Sequence, residues 1–180
     1  MGLHENALHF LRQAERTGHK TALVAETRGD AHYNLAQFEE ARSSYETALK
    51  RQNGSPAVLA KHCLALIRCG KHERGLTRLR DALASSPQVP ELHEGLILSL
   101  VFLNRIQDAA RASDEKLRTI PTLNPADYLR SASLWAQLRD WPRSSHALEL
   151  GLRAYPGNTA LTRALDEIFR AACAQAAQAP

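Results

Sequence analysis

Three cysteines, eight histidines and nineteen carboxylates are the residues of this chain most able to do chemistry, and their spacing does not bring them together. Cys63, Cys69 and His72 are the nearest thing to a soft-metal set. Their steps of six and then three residues across a helix break match no metal-binding spacing. His4 and His9 are five apart and diverge around a helix. Glu39 and Glu40 are adjacent, so on a helix they point different ways, unlike the converging pair that acid/base catalysis needs. There is no His-Glu-x-x-His, no glycine-rich phosphate loop and no strand-to-helix nucleophile elbow. The expectation is a chain with no catalytic residue, no cofactor and no metal site. Two short strings, Arg28-Gly29-Asp30 (an adhesion tripeptide) and Asn53-Gly54-Ser55 (a glycosylation sequon), read as coincidence, the first mid-helix and the second without a secretory signal.

Cys63 and Cys69 fall on packing positions and read as small buried hydrophobes. Three cysteines with no paired spacing argue against a disulfide framework and for a reducing, cytoplasmic compartment. The chain has 180 residues, of which 44% are hydrophobic and 6% aromatic, enough for a continuous core. No apolar run approaches the roughly 20 residues of a membrane span, and no basic-then-apolar leader opens the chain. The net charge of +4 is modest and the signs are interspersed, which argues against nucleic acid as the partner.

The elements that must position these residues are set by a fixed interval. Ala7, Ala41, Gly75 and Ala109 step by 34. Ala14, Ala48 and Ala82 follow at the same step, with Lys116 as the polar exception. Leu49, Leu83 and Leu117 come next, and Asn53, Pro87 and Pro121 close the units. Leu152 and Pro156 arrive one residue late. Such a period marks a stacked array, in which each unit buries its apolar face against its neighbours. Within each unit two apolar helix-period stretches are split by a short break: 22–35 with 38–51, 56–69 with 72–85, 90–103 with 106–119, and 125–138 with 141–154. Ser55-Pro56 and Asn124-Pro125 offer an N-cap oxygen followed by proline at the first helical position, and Asp140 can cap the helix after it. Gly70 and Asn104 sit in breaks where a residue must turn left-handed. No stretch alternates with period two for long enough to make a strand.

These residues resemble the tetratricopeptide-repeat (TPR) family, whose 34-residue helix-turn-helix units carry small, bulky and closing-proline positions at fixed places. The first unit offers Gly29, Phe38, Ala41, Tyr45, Ala48 and Leu49, and the second Leu59, Cys63, Leu66, Gly75, Leu79, Ala82, Leu83 and Pro87. The third has Leu96, Leu100, Ile106, Ala109, Leu117 and Pro121; the fourth has Tyr128, Ala132, Trp135, Trp141, Leu148, Leu152 and Pro156. Departures are His72, Ser144, Ser113 and Lys116. The resemblance implies an all-α fold, a right-handed α-α superhelix of helix-turn-helix repeats, forming a single solenoid over 1–180. Its parts are a half repeat or cap helix at 3–17, repeats at 22–55, 56–89, 90–123 and 125–158, and a C-terminal capping helix at 159–177. In that last helix Leu161, Leu165, Ile168 and Ala172 make an apolar stripe opposite Arg163, Asp166, Glu167 and Arg170. The segment 3–17 reads as the second half of a unit, either a natural cap or the edge of a longer protein.

The family's first helices line a concave groove in which partner segments lie. Carried onto this chain, the groove would present Glu26, Asp30, Tyr33 and Asn34, then Lys61, Leu64, Ile67 and Arg68. It would continue with Glu94, Leu98, Val101 and Phe102, and end with Arg130, Ser133 and Gln137. An acidic end, an apolar middle and scattered basic residues suit a protein or peptide ligand with an apolar or amphipathic segment. Glu26 and Asp30 would repel a C-terminal carboxylate, so binding of chaperone tails is not expected. The leading functional reading is a non-catalytic protein-interaction scaffold. The alternatives are an auxiliary module of a longer enzyme, such as a glycosyltransferase, and an RNA-binding helical repeat, which the dispersed charge opposes. Leu3, Leu8, Phe10 and Leu11 on the first helix lack a covering helix, which makes a homodimer through that helix an expectation.

Overall fold

The structure, a computed structural model, describes residues 2–51 and 55–177. Asn53, and with it the sequon, lies outside the described residues. Ten helices and no strands occur among them: α1 (Gly2–Arg16), α2 (Ala22–Asn34), α3 (Phe38–Arg51), α4 (Pro56–Arg68), α5 (His72–Ser85), α6 (Pro90–Phe102), α7 (Ile106–Thr119), α8 (Pro125–Gln137), α9 (Trp141–Ala154) and α10 (Thr159–Ala176). The paired stretches read from the sequence end within a residue of these bounds.

One turn geometry recurs inside the pairs and explains why each break is only three residues long. After α2 the amide of Gln37 donates to the His32 carbonyl at 2.9 Å and that of Ala36 to Tyr33 at 3.0 Å. The same two bonds recur as Lys71 to Leu66 with Gly70 to Ile67, Arg105 to Leu100 with Asn104 to Val101, and Asp140 to Trp135 with Arg139 to Ala136. This is the Schellman arrangement, which needs one left-handed residue. Gly70 (φ +79) and Asn104 (φ +56) supply it as their types allow, whereas Ala36 (φ +58) and Arg139 (φ +57) take it against their preference. Not every expected cap forms. Asn124 accepts from the Ala126 amide at 2.9 Å within a capping box, and Asp140 accepts from Arg143 at 3.1 Å. Ser55 makes no side-chain cap bond, and Pro56 alone starts α4.

The chain divides into two compact units, residues 1–99 and 100–180, with the division inside α6. In the first, Ala25, Ala41, Tyr45, Ala48, Val58 and Ala65 form one core cluster, and Ala60, Cys63, Leu79 and Leu92 form another. Small residues set how closely helices approach. A Cβ on Gly29 would sit 2.5 Å from the Tyr45 ring, and one on Gly75 would sit 2.6 Å from Ile67. On α1, Leu8 is 6% exposed and lies in the core, so of the four residues expected to be uncovered there it offers no surface.

In the second unit Tyr128, Ala132, Ala147, Leu148 and Leu161 make the core, with Leu165 and Ile168 of α10 packed against it. The polar departures in this unit are satisfied inside it. Ser144 donates to the Ala132 carbonyl at 2.8 Å. Lys116, only 7% exposed as a residue, meets Asp127 at 2.5 Å. Asp127 also accepts from the Asn124 amide at 3.0 Å, so one carboxylate both closes the capping box and neutralises the buried ammonium.

Candidate functional site

In the first unit, α2 and α4 present a charge cluster. Lys61 Nζ donates to Glu26 Oε1 and to Asp30 Oδ2, both at 2.8 Å. The Tyr45 hydroxyl donates to the other oxygen of Asp30, also at 2.8 Å. Burial, reinforced by the Asp30 charge, pushes the Tyr45 phenol far above its ordinary range, so it stays a donor at any physiological pH. Two carboxylates and one ammonium therefore hold each other, leaving the cluster with a single negative charge. Lys61 is paired with two carboxylates of its own chain.

At the turn end of the same unit, Tyr33 meets Phe38 edge-on with centroids 5.4 Å apart, and the Arg68 guanidinium lies 4.2 Å above the Phe38 ring. Asn34 is exposed and Leu64 half-buried. Ile67 is 1% exposed, wedged over Gly75, and contributes core instead of surface.

Helix α6 carries apolar residues on both sides, with Glu91 and Glu94 on the outer one. Leu92, Ile97 and Leu100 are buried, as are His93 and Ser99, which are satisfied by the Pro87 and Gly95 carbonyls at 2.8 and 2.6 Å. On the opposite side Leu98, Val101 and Phe102 are 42%, 39% and 49% exposed. Their spacing of three and four residues makes one stripe. Glu94 is half-buried one turn before them. On α8, Arg130 is half-buried while Ser133 and Gln137 are exposed.

Some groups of interest escaped sequence reasoning. In the second unit Asp114 accepts from Ser131 at 2.7 Å and from the Trp135 indole at 3.0 Å, and Arg143 stacks 4.5 Å over the Trp135 ring. Asp114, Arg118, Arg143 and His146 rim a cleft between α7 and α9 with Leu117, Ala147 and Leu150 at its base. Arg118 pairs with Glu115 at 2.8 Å and Arg143 with Asp140 at 3.6 Å. The repeat pattern gave a sign of Trp135 and Leu117, as packing residues.

Cys63 is buried and its thiol is pushed up to about 11 by that burial, which makes it unreactive. Among the described residues no three His, Cys, Asp or Glu side chains converge so as to hold a metal ion, and no helix is long and apolar enough to cross a membrane.

Neither a protein-family model nor a curated protein sequence matches the chain. Solved structures do match. The C-terminal part of a TPR repeat-containing protein from Cytophaga hutchinsonii superposes over 92% of this chain and 65% of its own, with a TM-score of 0.68 at 11% identity. TTC0263, a thermophilic TPR protein of Thermus thermophilus, covers 93% and 91% with a TM-score of 0.62 at 19% identity. YrrB, a TPR protein with an unusual peptide-binding site, covers 91% and 84% with a TM-score of 0.55 at 15% identity. The fold is therefore that of the tetratricopeptide-repeat proteins: all-α, built of helix-turn-helix repeats of the solenoid class.

Proposed function

We propose that this chain is a non-catalytic interaction scaffold that takes up a peptide or helical segment of a protein partner on the faces of its first helices. The observation that carries this reading is the stripe Leu98, Val101 and Phe102 on α6. These three large apolar side chains are 39–49% exposed on one side of the helix, and exposed apolar stripes mark binding surfaces. The peptide-binding site of YrrB, a solved TPR protein, points the same way. Of the remaining positions, Leu64 adds an apolar contact, the charged Glu26, Asp30, Lys61, Arg68, Glu94 and Arg130 orient the ligand, since charged rim residues set register more than affinity, and Tyr33, Asn34, Ser133 and Gln137 complete the surface. The single negative charge left on Glu26, Asp30 and Lys61 favours a ligand with a basic residue beside its apolar ones. A cytoplasmic setting and the division into repeats at 22–55, 56–89, 90–123 and 125–158 belong to the same proposal.

Selection from a displayed library of random peptides tests it. Enriched sequences should carry two or three apolar residues with a neighbouring lysine or arginine. No enrichment over an empty surface would contradict the scaffold reading, and enrichment of acidic C-termini would contradict the assigned polarity.

A further inference from the structure

Helix α1 carries two apolar stripes: one turned to the core, and one whose large members are exposed while its small ones, Ala7 and Ala14, are half-buried. Leu8 is buried, Leu11 is half-buried, and Glu15 reaches Arg28 at 2.8 Å, so these residues mark the side turned to the core. The other stripe is Leu3, Ala7, Phe10 and Ala14, at steps of four, three and four. That alternation is the seam pattern of paired helices. Leu3 is 86% and Phe10 67% exposed, the two most exposed of the large hydrophobics besides Leu23.

From this seam we infer that α1 pairs antiparallel with α1 of a second copy of the chain, about a two-fold axis. In such a pair, residues whose numbers add to a constant lie opposite one another. With the sum 17, Leu3 faces Ala14 of the second copy and Ala7 faces Phe10 of it, so every large side chain meets a small one, twice over by symmetry. The same register sets His4 against Gln13 and Asn6 against Leu11, so no formal charge faces a like charge at neutral pH. Glu5, Arg12 and Arg16 project from other sides of the helix, because at 100° per residue they fall well away from the seam. The self-complementarity is what selects a second copy as the occupant: an unrelated helix would have no reason to match the large–small order in both directions.

The seam is four residues a side, well below the ~800 Å² per partner of a stable dimer. The association is therefore weak, with a dissociation constant between roughly 10 μM and 1 mM. It does not depend on the peptide-binding reading, since it uses no residue of the first-helix faces.

Sedimentation equilibrium of the full chain from micromolar to millimolar concentration tests it. The wild type should shift from monomer to dimer, and Phe10→Glu should remain monomeric. Phe10→Ala should weaken association about tenfold or more. The swap Ala7→Phe/Phe10→Ala, or Leu3→Ala/Ala14→Leu should the first fail to fold by circular dichroism, should restore it to within about threefold, because large again faces small. A wild type that stays monomeric at about 1 mM (the weak limit above), a dimer that survives Phe10→Glu, or folded swaps that stay monomeric would each overturn the inference.

Discussion

Lys116 stands where earlier units place alanine, and the Asp127 carboxylate, 2.5 Å from its ammonium, makes its burial tolerable. Removing one member of a buried pair leaves the other charge uncompensated. Lys116→Ala should cost about 3 kcal/mol in a urea titration, whereas Lys71→Ala, breaking the exposed pair with Glu39, should cost less than about 0.5 kcal/mol. Equal losses would contradict the assignment. His62 carries a pH effect of the same origin. It is 3% exposed, and burial together with the positive charge of Arg78 lowers its pKa from 6.5 to about 4. Its Nδ1 lies 3.4 Å from an Arg78 nitrogen, with Glu46, Arg42 and Arg74 as the other charged groups acting on it. The unfolded chain takes up the proton first on acidification. The stability that His62 contributes is complete above pH 6.5 and is lost as the pH falls towards about 4. The loss should be on the order of 2–3 kcal/mol, and His62→Gln should flatten that part of the stability–pH curve. An unchanged slope would contradict it.

At the scale of the helix pair, the 34-residue interval made the elements legible: every paired helix starts and stops within a residue of the stretch that its apolar spacing defines. Gly70 and Asn104 were legible as left-handed turn residues because their types announce it. Ala36 and Arg139 were not, since nothing in an alanine or an arginine signals positive φ, although each lies at the same place in its unit. That disagreement between type and backbone costs stability. Ala36→Gly and Arg139→Gly should each stabilise the protein by roughly 0.5–1 kcal/mol, read as a raised Tm, because glycine relieves the left-handed strain. A lower Tm in both would show the turns to be formed differently. The candidate surface was legible in part. Leu98, Val101 and Phe102 emerge as exposed on the side of α6 away from the buried Leu92, Ile97 and Leu100. Ile67 could not be told from them by spacing, since its burial depends on Gly75 letting α5 come close. Lys61 looked like a basic contact for a partner; its capture by Glu26 and Asp30 is a contact between successive first helices, which no local pattern encodes.

At the scale of the molecule, the chain holds a repeat fold whose described polar groups are spent on its own architecture. Buried side-chain nitrogens and oxygens among the described residues all have partners. Among the described residues the fold leaves large apolar side chains exposed on α1, on α6 and singly at Leu23, Leu138 and Phe169, and the proposed role rests on the α6 stripe. The most direct test of that claim is the affinity of a library-selected peptide, followed by fluorescence anisotropy, for the wild-type chain and for Leu98→Glu/Phe102→Glu, with circular dichroism showing both to be helical. Wild-type binding weakened at least about tenfold in the variant, the loss of one good anchor or more, is the expected result. Equal affinity for the two folded proteins would contradict it and place the ligand away from α6.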